Sequence, residues 1–576
     1  MRRMNMKNAT SKTQLLLALM VAVVLSLAPA AFAAAPGITS TNGTAGTFNL
    51  TAQDSYLNQP DGESVYSWGY GCVSAPPTGS FVPAAAFAFP QSCNTMQVPG
   101  PTMVVTEGTT VTVNLTNNLP TAAGNTSILF PGFKVTTTCT AAGQQQGLLT
   151  CEAAPSGTVT YTFTASAPGT HAYYSGTQGD LQVEMGLYGA VIVLPATVPA
   201  NCTSGYHASN LSAEAHWGET DFRLANATGG KGAAYDHPGS CYDREYLFQW
   251  AEMDPRIHRQ AAAEVQAKAG CAAGTMGCSL DVQTEPYHPA YFLINGRSMP
   301  DLMDPNFAPE YPHQPYNGNP HMHPGELTLI RTIGQGRWQH PFHEHANHVR
   351  ILARDGNLVL SSSTTPVSFS TPGGTAVPAT GLAGPLMFNT DTTPGEAFDG
   401  IFYFTGRGLN WDPYGHHPAG TSAPGFPADP LASLTCTPDA NGYNSGAPTA
   451  VNFMEWCQDH NKPVEVAPFG DVAAGGPATL PDPNVLTNGA WYGGSQYLGP
   501  DATLRSRMPA CDTTTNAGCT TLQPSNVQAN PSNERGWAFM WHSHNEREIT
   551  TNNVFPGGML MMMLVDSREF IIDESN

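Results

Sequence analysis

Two clusters of histidine carry the strongest chemical signal in this chain. The first is the segment His340-Pro341-Phe342-His343-Glu344-His345, and the second, far downstream, is His542-Ser543-His544. Side chains at positions i and i+2 of a β-strand share one face, so each His-x-His pair can direct two imidazoles into a common cavity. Imidazole is the commonest protein ligand for copper, zinc and iron. The pattern therefore predicts a metal site formed by His343, His345, His542 and His544.

His340 is a fifth candidate ligand, with a different orientation. It lies an odd number of positions from His343 and His345, so in a regular strand it points to the opposite face. Strand histidines are also commonly satisfied by hydrogen bonds alone, and this is the alternative interpretation for all five.

The number and kind of metal ions stay open at the level of sequence. Four imidazoles suffice for one ion, or for two with help from water or a carboxylate such as Glu546 or Glu548. Ligand softness and an export compartment favour copper, ahead of zinc, iron and manganese. The segment His321-Met322-His323 is a weaker additional candidate, and His416-His417 is interpreted as a loop pair.

The first 33 residues predict a signal peptide. Basic residues at positions 2, 3, 7 and 12 precede a short apolar run, and Ala31-Phe32-Ala33 fits a cleavage site. No later segment approaches the roughly twenty apolar residues of a membrane-spanning helix. We therefore expect an exported protein, periplasmic or extracellular, without a membrane span.

The cysteines agree with export, because exported proteins keep disulfides. There are 12, and they fall into neighbours along the chain. The predicted pairs are Cys72 with Cys93, Cys139 with Cys151, Cys202 with Cys241, Cys271 with Cys278, Cys436 with Cys457, and Cys511 with Cys519. Sequence alone does not fix this connectivity.

Composition predicts a loop-rich β protein with an acidic surface. Glycine and proline number 58 and 49, and the formal net charge is −21. An acidic balance of this size argues against nucleic acid or an anionic membrane as a partner. A metal ion, and a small molecule or metal ion as substrate, are the partners we expect.

Periodicity predicts the domain organisation. Alternating apolar residues, as in Val111, Val113 and Leu115, indicate half-buried strands in a first β-sandwich over residues 45–197. A linker at 198–242 leads to a second sandwich over 243–566, followed by a tail at 567–576. Residues 256–269 are the best helix candidate. Residues 408–534 form a long insertion, rich in turn residues, that could serve as a lid or dock a protein partner.

Several motifs of the first domain resemble the opening cupredoxin domain of multicopper oxidases. They are Val98-Pro99-Gly100-Pro101, the strand 113–119, and Gly186-Leu187-Tyr188-Gly189. The two histidine clusters then resemble the HPxHxH and HCH motifs of that family. The resemblance implies an all-β fold of tandem cupredoxin-like Greek-key β-sandwiches, here with long disulfide-pinned loop insertions, and copper as the cofactor.

The chain departs from the family where metal is bound. Both histidine motifs of the first domain are missing. Thr126-Ser127-Ile128 is followed by Leu129-Phe130-Pro131-Gly132 in place of the first motif, and the second reads Tyr173-Tyr174-Ser175-Gly176, so this domain is expected to lack metal ligands. In the second cluster Ser543 stands where the family has the cysteine of its type 1 copper. A blue copper centre requires a thiolate, so a laccase-type electron path cannot run through these residues.

Two function classes remain. The first is a copper-dependent oxidoreductase with a reduced mononuclear or dinuclear histidine site and no blue copper. The second is a non-catalytic copper-binding, structural or partner-docking cupredoxin protein. An open coordination position would favour the enzyme, and a closed four-histidine site would favour storage or structure. The sequence identifies neither the catalytic residues nor the substrate.

Overall fold

A computed structural model of the chain describes residues 35–84, 91–200, 202, 222–224, 232–322, 326–362, 366–370, 376–404, 437, 471–472, 476–477, 494–498, 534–566 and 572. The predicted signal peptide, most of the 408–534 insertion, His416-His417 and the last two predicted disulfides lie outside these residues. No helix among the described residues has the length and apolar character needed to cross a membrane.

The first β-sandwich consists of short strands joined by turns, with one helical turn, α1 (Gly179–Gln182). Its strands are β1 (Gly37–Ile38), β2 (Thr47–Asn58), β3 (Ser64–Cys72), β4 (Phe81–Val82), β5 (Met103–Thr106), β6 (Thr110–Asn117), β7 (Gln144–Gln146), β8 (Cys151–Ala153), β9 (Thr158–Thr164), β10 (Gly169–Tyr174) and β11 (Tyr188–Leu194). Single 3-10 turns lie at Thr78–Ser80 and Thr121–Ala123.

Two sheets face each other in this sandwich. One has the order β10-β11-β5-β1-β4 and the other β3-β2-β6-β9. The alternation predicted from Val111, Val113 and Leu115 appears in β6, where these three side chains are buried and the intervening ones are not. These three side chains pack with Phe48 and Trp68 in one apolar core.

The second sandwich begins after the linker. Its strands are β12 (Arg244–Met253), β13 (Tyr291–Ile294), β14 (His321–Met322), β15 (Leu327–Gly334), β16 (His340–Glu344), β17 (Val349–Arg354), β18 (Asn357–Leu358), β19 (Val367–Ser370), β20 (Ala376–Ala379), β21 (Leu386–Met387), β22 (Asn389–Thr392), β23 (Ala397–Tyr403), β24 (Asp471–Val472), β25 (Gly476–Pro477), β26 (Gly494–Leu498), β27 (Glu534–Ser543) and β28 (Leu560–Asp566). A 3-10 turn lies at Asp301–Met303.

Two sheets again form the layers. The larger has the order β13-β12-β15-β23-β17-β18, with β21 added on β17. The other has the order β14-β28-β27-β16-β22, with β26 added on β27. Phe342, Trp541, Trp250 and Phe402 fill the core between them. The predicted all-β architecture of two tandem sandwiches is confirmed.

Helix α2 (Pro255–Ala267) packs the second domain onto the first. Asp254 caps it by accepting a hydrogen bond from the Arg256 backbone N–H, and proline occupies the first helical position, where its missing N–H costs nothing. Ile257 and Ala261, one turn apart, enter the core of the first sandwich. The helix predicted at 256–269 is therefore confirmed.

Buried polar contacts join the two sandwiches as well. The Arg331 guanidinium lies 3.0 Å from Glu245 and 3.6 Å from Asp399, with all three side chains buried. Asp399 also accepts a hydrogen bond of 2.6 Å from the Thr170 hydroxyl in β10 of the first domain. Breaking one partner of such a network leaves an uncompensated buried charge, so the contacts hold the domains in register.

Four of the six predicted disulfides fall within the described residues, and all four have the predicted partners. They are Cys72–Cys93, Cys139–Cys151, Cys202–Cys241 and Cys271–Cys278. Each closes a local loop of the chain.

Candidate metal site

The pairing of β16 with β27 brings the two histidine clusters together. In this antiparallel pair His343 lies directly opposite His542, and Phe342 lies opposite Ser543. Residues opposite each other on one face have Cβ atoms about 4.5–5.5 Å apart, so the two imidazoles are neighbours because of the register. Phe342 and Trp541 turn to the other face and enter the core.

Three of the predicted ligands converge. The ligand nitrogens of His343, His345 and His542 all lie within 4.8 Å of one another, and they form the one group of three potential metal-ligating side chains found among the described residues. The ring centroids of His343 and His544 are 4.7 Å apart. His544 is exposed and lies beside His343, at the solvent side of the triad. His343 in β16 and His345 just after it are buried.

The orientation of His542 is fixed by its neighbour. Its Nδ1 donates a hydrogen bond of 2.6 Å to the Ser543 backbone carbonyl, which can only accept. A neutral His542 therefore carries its lone pair on Nε2, and this atom lies 3.1 Å from Nε2 of His345. Two nitrogens bound at about 2.0–2.1 Å to one ion lie roughly 2.8–3.4 Å apart. The donor set and its spacing thus fit a metal ion.

The electrostatics of the cluster favour the neutral imidazoles of His343 and His542. Burial lowers the pKa of His343 to about 4, assisted by the charges that His345, His542 and His544 would carry if protonated. Burial likewise lowers the pKa of His542. Because only the neutral ring has a lone pair for a metal, the lowered pKa values of these two residues favour their metal-binding form at neutral pH.

His340 is not brought to the triad. It is buried on the opposite face of β16, as its odd spacing predicted, and both of its ring nitrogens are engaged. Nε2 lies 2.8 Å from Oε2 of Glu252, and Nδ1 lies 2.9 Å from Oε2 of Glu548. A metal-ligand role for His340 in this triad is therefore not supported, because its nitrogens point to carboxylates on two sides.

The other candidates named from the sequence lie elsewhere. His321 is buried in β14, which pairs with β28, and His323 lies outside the described residues. Glu546 is exposed, and its carboxylate is 3.8 Å from Nδ1 of His544. Glu548 faces His340 and Ser543, so its oxygens point away from the triad.

The first-domain segments that lack the family histidines form a closed polar network. The Thr126 and Ser175 hydroxyls both donate to the side-chain oxygen of Gln182, at 2.9 and 2.6 Å. Ser127 and Thr177 pair through their hydroxyls at 2.9 Å. These buried groups satisfy one another, as buried polar groups must, so the described contacts here do not require a metal.

Sequence reasoning missed two buried carboxyls around the site. Glu252, in β12, gives no motif that would connect it with His340, because the two are far apart along the chain. Glu344 was visible between His343 and His345, but its burial was not. Burial raises its pKa well above the usual range, and its Oε1 accepts a hydrogen bond of 3.1 Å from the Thr390 hydroxyl.

The two carboxylates that contact His340 raise its pKa, and this shift makes the stability of the folded protein depend on pH. Burial by itself would lower the pKa of His340, but the hydrogen bonds and charges of Glu252 and Glu548 outweigh it and raise the pKa from 6.5 to about 9. The folded state therefore holds a proton that the unfolded chain releases above pH 6.5. This contribution is fully present below pH 6.5 and is lost as the pH rises through about 9.

We expect the free energy of unfolding of the wild-type protein to fall by up to about 3 kcal/mol between pH 6.5 and 9 from this group. Denaturant titrations across that range should show a smaller decrease in His340→Gln, because glutamine does not titrate. Parallel curves for the two proteins would contradict the proton assignment.

Comparison with known proteins agrees with the motifs of the first domain. Residues 92–197 match the multicopper oxidase family. Among curated proteins, an L-ascorbate oxidase of Brassica rapa subsp. pekinensis is 39% identical over 97 residues, which are 17% of this chain and 16% of that protein. The match thus spans only a small part of this relative.

Solved structures with similarity include a blue copper oxidase of Nitrosomonas europaea, with a TM-score of 0.39 and 14% identity over 91% of this chain and 85% of that one. A copper nitrite reductase of the same organism has a TM-score of 0.33 and 16% identity over 64% of this chain and 86% of that one. The sequence match is the stronger finding: residues 92–197 match the multicopper oxidase family, and the similarity in sequence is confined to this segment of the chain.

Proposed function

We propose that this chain is an exported copper-dependent oxidoreductase with a mononuclear or dinuclear histidine site and no blue copper. The observation that carries the proposal is the lone-pair nitrogen of His542 facing Nε2 of His345 at 3.1 Å, within a triad completed by His343. Nitrogen donors of this softness suit copper, and the family of residues 92–197 is named for it.

The surroundings of the triad divide it into a closed side and an open side. Phe342 and Trp541, on the reverse face of the paired strands, belong to the apolar core and keep water from entering behind the site. His544 is half exposed, and Met540, on the same face as His542, is 36% exposed. A small molecule or metal ion can therefore approach from the His544 side.

Copper bound here would supply one-electron redox chemistry, and the residues of the chain would hold it and admit the substrate. His343, His345 and His542 supply imidazole nitrogens, and His544 is near enough to serve as a fourth ligand or to bind a second ion beside His343. Ser543 supplies no thiolate, so electrons must enter at the histidine site itself rather than through a blue copper centre.

A non-catalytic copper-binding role is the second candidate. The observation that favours it is the closed hydrogen-bonded network of Thr126, Ser127, Ser175 and Gln182 in the first domain. This network occupies the segments in which the family carries further ligands. Four histidines closing around one ion would then make a storage or structural site.

Metal analysis of the purified protein tests the site. We expect one or two copper ions per chain in the wild type, and loss of at least one ion in a His542→Ala/His544→Ala variant, because two of the four donors are removed. His288→Ala, at an exposed histidine outside the site, is the matched control and should keep the wild-type copper content. Equal copper in the wild type and the double variant would refute the site.

Oxidation assays then separate the enzyme from the carrier. With phenols, Cu(I) and Mn(II) as substrates, the enzyme should turn over at least one of them, and turnover should fall with copper content in the double variant. Copper bound at full stoichiometry without turnover of any reductant would favour the binding role.

The histidine site has no thiolate ligand, and this determines the visible absorption spectrum that we expect of the copper-loaded protein. We expect no intense blue absorption from the copper-loaded wild type, because Ser543 offers only a hydroxyl.

The Oγ atom of Ser543 lies 2.5 Å from Oε2 of Glu548, which in turn lies 2.9 Å from Nδ1 of His340. A Ser543→Cys/Glu548→His variant would place one thiolate and two imidazoles together, the donor set of blue copper.

Copper added to that variant should give a thiolate-to-copper absorption band. The same two substitutions combined with His340→Gln provide the control, since one imidazole is then lost and the band should weaken or disappear. A blue band in the unmodified protein would show that the ligand argument is wrong.

A further inference from the structure

The region beneath the triad contains a buried cluster of charge. Its members are Glu252 in β12, His340 at the start of β16, and Glu548 in the turn that follows β27. All three side chains have 2% exposure or less. Both nitrogens of His340 lie within 3 Å of carboxylate oxygens, which accept hydrogen bonds when ionised. Protonation of both nitrogens satisfies both carboxylates, so the cluster is an imidazolium between two anions.

Glu548 fixes the segment that carries His542 and His544. Its Oε2 accepts from the Ser543 hydroxyl at 2.5 Å, and its Oε1 accepts from the Asn545 side-chain amide at 2.9 Å. Its backbone carbonyl accepts from Met559 N–H at 2.8 Å, which anchors the turn to the beginning of β28. The residue between the two downstream histidines is thus tied to a rigid, buried carboxylate.

Glu252 fixes the segment that leads into β16. Its Oε1 accepts from the backbone N–H groups of Arg337 and Trp338, at 2.7 and 2.9 Å. The Tyr287 hydroxyl is 3.1 Å from the same oxygen. His340 links Glu252 to Glu548. One connected set of hydrogen bonds therefore holds both the segment that precedes the first histidine cluster and the turn that follows the second.

We propose that Glu252, His340 and Glu548 form a metal-free ionic clamp that positions the imidazoles of His343 and His542, with His340 acting as a positioning residue and not as a ligand. The inference rests on the proposed copper site. A metal constellation needs its donors held within about 0.5 Å, and supporting contacts of ligands commonly alter metal affinity by about 10–100-fold. The clamp provides this support from the reverse face of the strands.

Copper titration and electron paramagnetic resonance of the full mature chain test the clamp. In His340→Gln we expect copper at the wild-type stoichiometry, bound about 10–100-fold more weakly, with altered Cu(II) g-values and hyperfine splitting because the histidine donors shift. His171→Gln is the matched control. His171 is also buried, but it bonds the Ala167 carbonyl in the first domain, so its spectrum and affinity should equal those of the wild type.

Two results would overturn the clamp while leaving the copper site intact. Unchanged affinity and spectrum in His340→Gln would show that His340 does not position the donors. Loss of one complete copper equivalent, with the remaining signal unaltered, would show that His340 is itself a ligand. Failure of the proposed function is a different result, namely equal copper binding by the wild type and the His542→Ala/His544→Ala variant.

Ser543→Ala is a second test of the clamp, to be used if His340→Gln does not fold. It removes one hydroxyl that donates to Glu548 and leaves the two carboxylates and the imidazolium in place, so circular dichroism should match the wild type. We expect the Cu(II) spectrum to change in the same direction as for His340→Gln, by a smaller amount. An unchanged spectrum in a folded Ser543→Ala protein would contradict the clamp.

Discussion

The register of β16 against β27 is the constraint on which the site depends. It places His343 opposite His542, and a shift of one residue would turn the imidazoles into the core and Phe342 and Trp541 toward solvent. The register is strongly specified because one face is apolar and tightly packed: Trp250 and Phe342 are 4.7 Å apart, and Phe402 and Trp541 are 4.9 Å apart. Hydrophobic packing on one face thus fixes the positions of the imidazoles on the other.

A cluster of charged side chains, Glu252, His340 and Glu548, lies on the face of the paired strands opposite the histidine triad. A buried imidazolium between two carboxylates is costly to desolvate, and such a cluster persists only when its hydrogen bonds are complete. In this cluster the other hydrogen bonds to the two carboxylates come from backbone N–H groups, a serine, an asparagine and a tyrosine. The Ser543 hydroxyl donates a hydrogen bond to the Glu548 carboxylate. A copper-bound thiolate at position 543 would have no proton to donate to that carboxylate.

The first domain contributes structure to this arrangement. Thr170 reaches the buried Asp399 of the second domain, and helix α2 enters the first core through Ile257 and Ala261. The Glu184 carboxylate of the first domain accepts a hydrogen bond of 2.6 Å from the Tyr287 hydroxyl, which also lies beside Glu252. A domain without the histidine motifs is therefore still connected, through Tyr287, to the residues that surround the candidate metal site in the other domain.

Local patterns in the sequence determined a large part of this description. Period-two alternation identified strands such as β6, alanine-rich composition identified α2, and neighbouring cysteines identified four disulfides, because each of these signals depends on residues close in the chain. The same holds for the paired His-x-His faces and for the opposite direction of His340. The predicted convergence of the two clusters rested on the number and spacing of their histidines, whereas the strand pairing that produces it is a contact between distant segments.

Only the tertiary structure decided what His340 does. Its partners come from β12 and from the turn after β27, and no spacing in the sequence relates Glu252 to either cluster. Burial and neighbouring charges decided the rest. Burial lowers the pKa of His343 and raises that of Glu344, whereas the carboxylates of Glu252 and Glu548 outweigh burial and raise the pKa of His340. Side-chain types fixed which groups could bind a metal, and the packing of distant strands determined which of them point toward a common position.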